Sequence, residues 1–363
     1  WLVQGKHVKA FEEKWSNFTA SPHSIAVTSC TSALHISLAA LGVGPGDEVI
    51  VPAFTWISSA NVIEHVGAKV VFSDIELNTF NIDIENLERL ITKKTKAIIP
   101  VHLFGLPVNM TALMEVARRY NLFVVEDAAC GFGAYFNGIH VGNFGDTGCF
   151  SFHPRKAITT GEGGMITTSS DQLAEQFRQL RDHGAMVSDL QRHIGAKPFL
   201  LSEHKHAGFN QRMTDLQGAL GSSQMDRADL ILASRREIAL SYNDAFKNLE
   251  WLALPLQKHG YEHGYQSYPC LFQPFEINLK NVLQIHEARN TWMEELNDQG
   301  ISTRPATHAV HMLEYYKAKY QLNAEDFPNS YLAYYCSISL PLFHGMTIEE
   351  QSYVVEAVLS KKL

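Results

Sequence analysis

The feature that most constrains the fold is an alternation, between residues 24 and 168, of short apolar runs with longer amphipathic stretches. The apolar runs predict strands at residues 25–28, 48–52, 69–72, 97–101 and 122–126. The amphipathic stretches predict helices at residues 33–41, 57–66 and 110–120. Strands that are apolar throughout are typical of a parallel sheet covered by helices on both faces. The sequence therefore predicts an α/β fold.

The pattern changes after residue 180. Residues 181–206 mix basic, acidic and histidine residues without a clear period, which predicts a long loop. A helical stretch follows at residues 214–246. A second alternating section then predicts a strand at 266–272, a helix at 282–299 and a strand at 301–303. We therefore expect a large domain at residues 1–245 and a smaller C-terminal α+β domain at residues 246–363.

Composition excludes several classes of protein. Of the 363 residues, 45% are apolar and 19% are charged, which suits a globular chain with a large core. A net charge of -8 argues against a broad basic face for nucleic acid. No apolar stretch approaches the roughly 18 residues of a membrane span. The five irregularly spaced cysteines indicate reduced thiols, and residues 1–5 lack a secretion-signal pattern, so we expect a cytoplasmic enzyme.

Common site motifs are absent from the sequence. There is no GxxxxGK[ST] phosphate loop, and the glycine-rich residues 42–47 follow a predicted helix, which indicates a connecting turn and not a dinucleotide site. There is no HExxH motif. The pairs His259 with His263 and His308 with His311 could each share a face, but neither has a third ligand at an obvious spacing. We expect no metal site.

The most informative segment is residues 148–165. A predicted strand at 147–152 leads into a confined, glycine-flanked loop that contains Lys156, and a second strand is predicted at 165–168. Removal from bulk water lowers the pKa of a lysine amine and makes it a nucleophile toward an aldehyde, so we expect a lowered pKa for Lys156. The alternative is a surface lysine on a tight turn.

Three other segments favour the first interpretation. Residues 28–32 place hydroxyl groups at a strand-to-helix junction, where they can bind an anion, or where Thr31 or Ser32 simply caps the helix. Asp127 follows an apolar strand, where a carboxylate can hold a pyridine nitrogen protonated; a helix-capping acid is the alternative. Residues 52–56 supply an aromatic side chain that either stacks on a flat ring or belongs to the core.

Together these segments offer an amine, a phosphate cradle, a partner for a ring nitrogen and a stacking plane, which are the four things that pyridoxal 5'-phosphate (PLP) needs from a protein. The chain resembles the nucleotide-sugar aminotransferases of the StrS-type (DegT/DnrJ-like) family, in the aspartate-aminotransferase superfamily. The resemblance extends from residues 4–12 to residues 340–342 and is most specific at residues 151–154, Lys156 and residues 160–164. It implies PLP fold type I, with a mainly parallel seven-stranded sheet flanked by helices in the large domain.

The resemblance also implies roles for individual residues. Lys156 would form the Schiff base with PLP, Asp127 would pair with the ring nitrogen and Trp56 would stack on the ring. The phosphate would be held by three hydroxyl residues: Thr31, Ser32 and Ser151. In this family a second subunit completes the site through a segment that matches residues 208–215, which implies a homodimer with Asn210 and Arg212 as the donors.

Two positions depart from the family pattern. Cys30 stands where glycine is common, and Cys130 stands where glutamine or histidine usually contacts the ring hydroxyl. Packing is at least as good an interpretation of both thiols. Lys156 itself argues against the sugar 3-dehydratases of this fold, which carry histidine in its place.

The activity implied is transfer of an amino group from L-glutamate to a keto-sugar on a nucleotide diphosphate, in the biosynthesis of amino sugars for polysaccharide, lipopolysaccharide or a secondary metabolite. Arg304 lies in a segment that resembles a substrate-contacting stretch, and His308 and His311 follow it as further substrate-binding candidates or as structural histidines. Residues 181–206 either meet the nucleotide diphosphate or are solvated. The alternatives are a PLP-dependent sugar dehydratase or lyase and a non-catalytic PLP-binding regulatory protein.

Overall fold

The computed structural model describes residues 1–195, 199–256 and 258–362. Its α-helices are α1 Lys6–Thr19, α2 Cys30–Ala40, α3 Ser58–His65, α4 Met110–Tyr120, α5 Asp171–Leu180, α6 Asp189–Ile194, α7 Asp215–Met225, α8 Ala228–Phe246, α9 Val282–Asp298, α10 Glu314–Tyr320, α11 Pro328–Cys336 and α12 Ile348–Leu359. Its strands are β1 His23–Val27, β2 Glu48–Pro52, β3 Phe54–Thr55, β4 Lys69–Ser73, β5 Thr95–Ile98, β6 Phe123–Asp127, β7 Tyr135–Phe136, β8 Ile139–His140, β9 Thr147–Ser151, β10 Gly164–Thr168, β11 Leu252–Ala253, β12 Tyr261–Glu262, β13 Tyr268–Phe272, β14 His308–Ala309 and β15 Ser337–Leu340.

The central sheet has seven strands in the order β1-β10-β9-β6-β5-β2-β4. Strands β9, β6, β5, β2 and β4 pair in parallel, whereas β10 is antiparallel to both of its neighbours. Strand β2 is buried along its whole length, as expected for a strand between two helical layers. The predicted α/β fold with a mainly parallel seven-stranded sheet is confirmed.

Helix α1 is fastened to α7 by a side chain at the start of α7. Gly5 precedes α1 and has no side chain to cap it, so the first N–H groups of α1 need an acceptor from elsewhere. The Asp215 carboxylate accepts hydrogen bonds from the N–H groups of Gly5, His7 and Val8 at 2.9–3.0 Å. Because Asp215 is buried, this contact fixes α1 against α7.

The C-terminal part contains a small three-stranded sheet in the order β11-β13-β15. Its strands pack with α8, α9, α11 and α12 around large buried side chains such as Tyr242, Phe272 and Trp292. Strand β14 leaves this region and pairs with β3, beside the central sheet. The boundary near residue 245 stays a prediction; it falls in the last turn of α8.

Most of the predicted elements are present, and three segments differ. The helical stretch at 214–246 is two helices, α7 and α8. The strand predicted at 301–303 is wrong, because only an isolated bridge between Arg304 and Ser339 forms there. The loop predicted at 181–206 contains the short helix α6, which Ser188 and Gln191 start with a capping box; residues 196–198 of that loop lie outside the described residues.

No helix in the described ranges combines the length and the apolar character that crossing a bilayer requires.

Candidate active site

Asp127 ends strand β6 at the carboxyl edge of the central sheet. Its side chain is buried, and both carboxylate oxygens are anchored. The Ser59 hydroxyl donates to Oδ2 at 2.7 Å and the Ala129 backbone N–H donates to Oδ1 at 3.1 Å. The chain after Asp127 turns at residues 129–130 instead of starting a helix, so the helix-capping alternative is wrong.

Glu126, the neighbour of Asp127, points to the opposite face of the sheet, as successive strand residues do. Its carboxylate accepts hydrogen bonds from the backbone N–H groups of residues 142, 144 and 145 at 2.7–2.8 Å. His102 Nε2 lies 2.9 Å from the same carboxylate, and because His102 Nδ1 accepts the Val108 N–H, Nε2 is the donor. This buried pair holds the end of β6. The pair was not predicted from the sequence, where a second acid in an apolar strand is its only signal.

Lys156 lies in the loop between β9 and β10. The loop is held by Gln266, whose Oε1 accepts the Ala157 N–H at 3.0 Å and whose Nε2 donates to the Arg155 carbonyl at 2.8 Å. The Lys156 amine lies 3.2 Å from the Cys130 sulfur. Lys156 lies on a turn, because its N–H donates to the His153 carbonyl at 2.9 Å, but its side chain is half-buried, so the predicted confinement of the amine is present in part.

The predicted lowering of the Lys156 pKa is wrong. Burial alone lowers the pKa of this amine, but the acidic groups of Cys130, Cys30 and Asp127 outweigh burial and raise it. These groups favour the ammonium form because a negative charge near the amine stabilises its positive charge. The sequence could not reveal this balance, because the three neighbours come from other segments of the chain.

The two unusual cysteines lie on either side of the catalytic candidates. Cys30 Sγ is 3.9 Å from Asp127 Oδ1 and 3.5 Å from the Cys149 carbonyl. Burial, followed by the Asp127 charge, raises the pKa of Cys30 well above its ordinary value, so its thiol stays neutral. Cys130 is half-buried and contacts the Lys156 amine. Both thiols therefore face the site, and Cys30 also packs in the core.

The hydroxyl cluster stands at the start of helix α2. Ser29 is the capping residue, because its Oγ accepts the Ser32 N–H at 3.1 Å; capping by Thr31 or Ser32 is wrong. The Ser32 hydroxyl lies 2.8 Å from Thr28 Oγ1 and 3.0 Å from Ser29 Oγ. Thr31 lies in the first turn, where N–H groups lack intrahelical acceptors. This arrangement suits an anion.

Ser151 is brought to the same place by strand pairing. It pairs with Gly164 of β10, and a Cβ atom at Gly164 would lie only 2.3 Å from the Ser29 carbonyl carbon. Glycine thus permits the close approach of β10 to the first turn of α2. The structure therefore brings Thr31, Ser32 and Ser151 together.

Trp56 is exposed over 57% of its surface, between β3 and α3, so the alternative of a core position is excluded. Its ring meets His308 in a T-shaped contact, with centroids 5.5 Å apart. This contact follows from the pairing of His308 with Thr55. An exposed indole beside the carboxyl edge is free to stack on a flat ring.

The other two substrate-binding candidates behave differently. Arg304 is exposed, and its backbone pairs with Ser339. His311 is fully buried against Phe327, and burial lowers its pKa to about 4. The structure therefore does not bring His311 to the surface that Trp56 and His308 share, and the structural alternative holds for it.

Asn210 and Arg212 lie on a segment beside the end of β1. The backbone of Arg212 bridges to Val27, and its guanidinium binds Asp182 at 2.5 Å. Asn210 is exposed and bridges to Asp182 through the backbone. Within its own subunit, the segment is thus held next to the start of α2. That Asn210 and Arg212 contribute to the active site of a second subunit stays a prediction.

Among residues 1–195, 199–256 and 258–362, no group of three or more histidine, cysteine or acidic side chains could hold a metal ion. The pair His259 with His263 is split between an exposed and a buried residue, and in the other pair His308 is half-buried whereas His311 is buried.

Comparison with known proteins decides the family. The model of the DegT/DnrJ/EryC1/StrS aminotransferase family matches residues 1–359. The chain belongs to this family. The spore coat polysaccharide biosynthesis protein SpsC of Bacillus subtilis is 37% identical over 364 residues, which cover 99% of this chain and 90% of that protein. GDP-perosamine synthase of Caulobacter vibrioides is 37% identical over 354 residues, 98% of this chain and 90% of that protein.

Solved structures agree with this family. A Streptococcus pneumoniae protein described as a sugar aminotransferase superimposes in its PMP form with a TM-score of 0.89 at 30% identity, over 98% of this chain and 92% of that one. Its PLP form gives a TM-score of 0.87 at 30% identity, over 98% of this chain and 91% of that one. This DegT/StrS-family chain is thus a PLP-dependent aminotransferase, which favours transamination over the lyase and the regulatory alternatives.

The residues present fit PLP. The half-buried Lys156 amine is the group predicted to bind the aldehyde, and Asp127 offers a buried, anchored carboxylate at the carboxyl edge of the sheet. The close approach of Gly164 to Ser29 leaves the hydroxyls and N–H groups at the start of α2 as a cradle for a phosphate. Which of these side chains contacts the cofactor stays a prediction.

Proposed function

We propose that this aminotransferase moves an amino group from L-glutamate to a keto-sugar carried on a nucleoside diphosphate, in the synthesis of an amino sugar for a polysaccharide, a lipopolysaccharide or a secondary metabolite. The observation that carries the proposal is the half-buried Lys156 amine, whose pKa the Asp127 carboxylate helps to raise, in a chain of this family. Relatives named for spore coat polysaccharide and for GDP-perosamine support the sugar acceptor.

Lys156 is the acid and the base of the proposed reaction. PLP supplies an electron sink and carries the amino group between the two half-reactions. With PLP bound, the Lys156 amine would take the α-proton of the donor at Nζ and return it to the cofactor carbon, and its partial burial would limit competition from bulk water for that proton. Asp127 would hold positive charge at the ring nitrogen, and its two anchoring hydrogen bonds would let it do so without reorientation.

An exposed arginine, Arg304, and a half-buried histidine, His308, are the proposed substrate contacts. Arg304 has a guanidinium that can bind a diphosphate or the donor carboxylate in bidentate geometry, and His308 borders Trp56. Within the 181–206 loop, Arg181 is no candidate, because its side chain is buried against Glu12. Lys205 and His206 are exposed and stay available for a nucleotide diphosphate.

We infer that the active unit is a homodimer in which the segment around Asn210 and Arg212 reaches the partner's site. Exposed apolar side chains support a partner surface near this segment, at positions Met186, Val187, Ile194, Phe199, Leu200, Leu201, Leu216 and Leu220. Leu216 and Leu220 lie one turn apart on α7 and form a continuous apolar strip. Apolar clusters of this kind mark association sites.

The cytoplasm is the proposed compartment. The five cysteines are all free thiols, and burial raises the pKa of Cys149, Cys270 and Cys336. Such thiols suit a reducing compartment.

The decisive experiment follows the visible absorption of the PLP-loaded protein. Addition of L-glutamate should convert the PLP form to the pyridoxamine (PMP) form. When a panel of nucleotide-linked keto-sugars is then tested, one of them should convert the PMP form back to the PLP form. A lyase would release product without the glutamate-driven change, and a regulatory protein would bind PLP but respond to no amino donor. Either result would overturn the proposal.

A further inference from the structure

The Asp127 carboxylate has a supporting hydroxyl that nothing in the sequence singled out. Ser59 lies in the first turn of α3 and is fully buried. Its Oγ lies 2.7 Å from Asp127 Oδ2, 3.1 Å from the Trp56 carbonyl and 3.1 Å from Thr55 Oγ1. A serine hydroxyl has one proton to donate, so these three neighbours compete for it.

The competition is decided by charge and distance. The carboxylate is the closest of the three acceptors, and hydrogen bonds to an ionised acceptor are the strongest. The Trp56 carbonyl already accepts the Ser59 backbone N–H at 3.1 Å. Ser59 therefore donates to Asp127, and Thr55 donates its own proton to Ser59. The result is a directed chain of hydroxyls from Thr55 through Ser59 to Asp127.

This series of hydrogen bonds fixes the χ2 angle of Asp127, which would otherwise vary. The χ2 angle of aspartate has broad minima, so a buried carboxylate keeps one orientation only when both oxygens are held. Ala129 holds Oδ1 and Ser59 holds Oδ2. Cys30 is a weaker neighbour, at 3.9 Å from Oδ1. Loss of Ser59 would therefore leave one side of the carboxylate without a strong donor.

Trp56 lies in the same segment as Thr55 and Ser59, between β3 and α3. Thr55 pairs with His308, Trp56 follows Thr55 directly, and Ser59 is one turn further on. The segment that offers the proposed stacking ring thus also anchors the proposed partner of the ring nitrogen. A short, buried link of this kind keeps the two groups at a constant separation, because Thr55 is itself 1% exposed.

We propose that Ser59, supported by Thr55, is a positioning residue for transamination, whose hydroxyl holds the Asp127 carboxylate in the orientation that serves the ring nitrogen of the cofactor. The inference rests on the proposed role of Asp127. Ser59 does not itself touch the reacting atoms.

The titratable groups that face Asp127 come from three elements. They are Cys30 of α2, Cys149 of β9 and Lys156 of the β9–β10 loop. Burial raises the pKa of both thiols, which keeps them neutral near neutral pH. Lys156, whose nitrogen also lies 3.2 Å from Cys130 Sγ, is thus the remaining titratable neighbour of the carboxylate, and a change at Ser59 should be felt at the Lys156 nitrogen.

The test is a pH titration of the visible absorption of the PLP-loaded protein. In Ser59→Ala, we expect the ring nitrogen of PLP to hold its proton less firmly. With less positive charge on the ring, the pKa of Lys156 Nζ should rise. The midpoint of the titration should then rise by about one pH unit, and the glutamate-driven change should slow by about tenfold. Ser59→Thr, which keeps the hydroxyl, should restore both values.

Ser330 provides a matched control. It is also fully buried and donates to an aspartate, Asp74 Oδ1, over the same 2.7 Å. Ser330→Ala should lose a comparable amount of stability but leave the midpoint where it is. If Ser59→Ala titrates like Ser330→Ala, or if Ser59→Thr shifts as far as Ser59→Ala, the inference is wrong.

Two further results keep the test decisive. Should Ser59→Ala not fold, Thr55→Val removes the supporting donor with little change of shape and should raise the midpoint in the same direction; an unchanged midpoint in that variant contradicts the inference. Failure of the proposed function is seen separately, in the unmutated protein. It would then not take up PLP or would not respond to L-glutamate.

Discussion

Lys156 is the residue on which the chemistry depends, and its surroundings are unusual. Two thiols and a carboxylate raise the pKa of its amine in spite of burial. An amine that is mainly protonated must lose a proton before it can bind an aldehyde or act as a base. The nearest of these neighbours is Cys130, whose Sγ lies 3.2 Å from the amine.

Replacement of Lys156 is the first prediction. Lys156→Arg keeps a positive charge but removes the primary amine, so the glutamate-driven half-reaction should slow by at least about 10²–10⁴-fold. Borohydride treatment followed by peptide mapping should label residue 156 in the unmutated protein and nothing at that position in the variant. Lys247→Ala, at an exposed lysine that follows α8 and pairs with Asp244, is the control and should keep full activity. Transamination by Lys156→Arg at the unmutated rate would refute the assignment.

At the scale of elements, helix α1 is tied to the sheet by a buried ion pair. Arg181, just after α5, donates to Glu12 Oε1 of α1 at 2.6 Å and to the Ala26 carbonyl of β1 at 2.7 Å. Glu12 Oε1 in turn accepts the Ala26 N–H at 2.8 Å. Since the Arg181 side chain is 4% exposed, removal of either partner leaves a buried charge unpaired.

The second prediction follows from that pair. Arg181→Met should lower the free energy of unfolding by about 3–5 kcal/mol, because Glu12 is left without its counter-charge. Lys9→Ala breaks an exposed pair on the same helix, with Glu13, and should cost no more than about 0.5 kcal/mol. Urea unfolding followed by circular dichroism measures both. Equal losses in the two variants would show that burial does not determine the strength of these pairs.

Elements could be predicted from the sequence wherever a local pattern determined them. Strand β6 and helix α4 were predicted almost residue for residue, because an apolar run and an amphipathic period are each contained in about ten residues. The prediction of a strand at 301–303 was wrong because three alternating residues form a strand only if a neighbouring strand pairs with them. Here the only backbone pairing is the single bridge between Arg304 and Ser339.

The site shows the same division between local and distant information. A nucleophilic lysine, a carboxylate after a strand and hydroxyls before a helix are local signals, and the structure brings all three to one edge of the sheet. Contacts between distant segments were not visible: Ser59 with Asp127, His102 with Glu126 and Cys130 with Lys156. Those contacts depend on how the elements pack against each other, and residue types alone do not determine that packing.

At the scale of the whole molecule, buried histidines link folding to protons. Burial lowers the pKa of His140 and of His311 to about 4 and that of His263 to about 3. In the unfolded chain a histidine titrates near pH 6.5, so the unfolded state binds more protons than the folded state between pH 6.5 and 4. The stability that these residues contribute is full above about pH 6.5 and is lost as the pH falls toward 4.

The third prediction isolates one of these residues. His311→Leu removes a titrating group that packs against Phe327, far from the exposed surface. Between pH 4.5 and 6, the slope of unfolding free energy against pH should fall by about 1.4 kcal/mol per pH unit, which corresponds to one proton. Urea titrations at several pH values measure that slope. His259→Leu, at an exposed histidine, should leave it unchanged; equal slopes for all three proteins would contradict the assignment.

The last prediction concerns the shared active site. If the segment of Asn210 and Arg212 acts in the partner's site, two different inactive proteins should complement each other. One carries Lys156→Ala and the other carries Asn210→Ala with Arg212→Ala. In a mixed dimer, one site collects both defects and the other collects neither, because each site takes its lysine from one subunit and its donors from the other.

Random mixing makes half of the dimers mixed, with one intact site in two, so activity should return to about a quarter of the unmutated value. The measurement is refolding of the two variants together, separation by size and assay of the glutamate half-reaction. Each variant refolded alone should stay inactive. If each site were built within a single subunit, mixing could not restore activity, because every remaining Lys156 would lie in a site with the substituted residues 210 and 212. Verified mixed dimers without recovered activity would therefore place Asn210 and Arg212 in the site of their own chain.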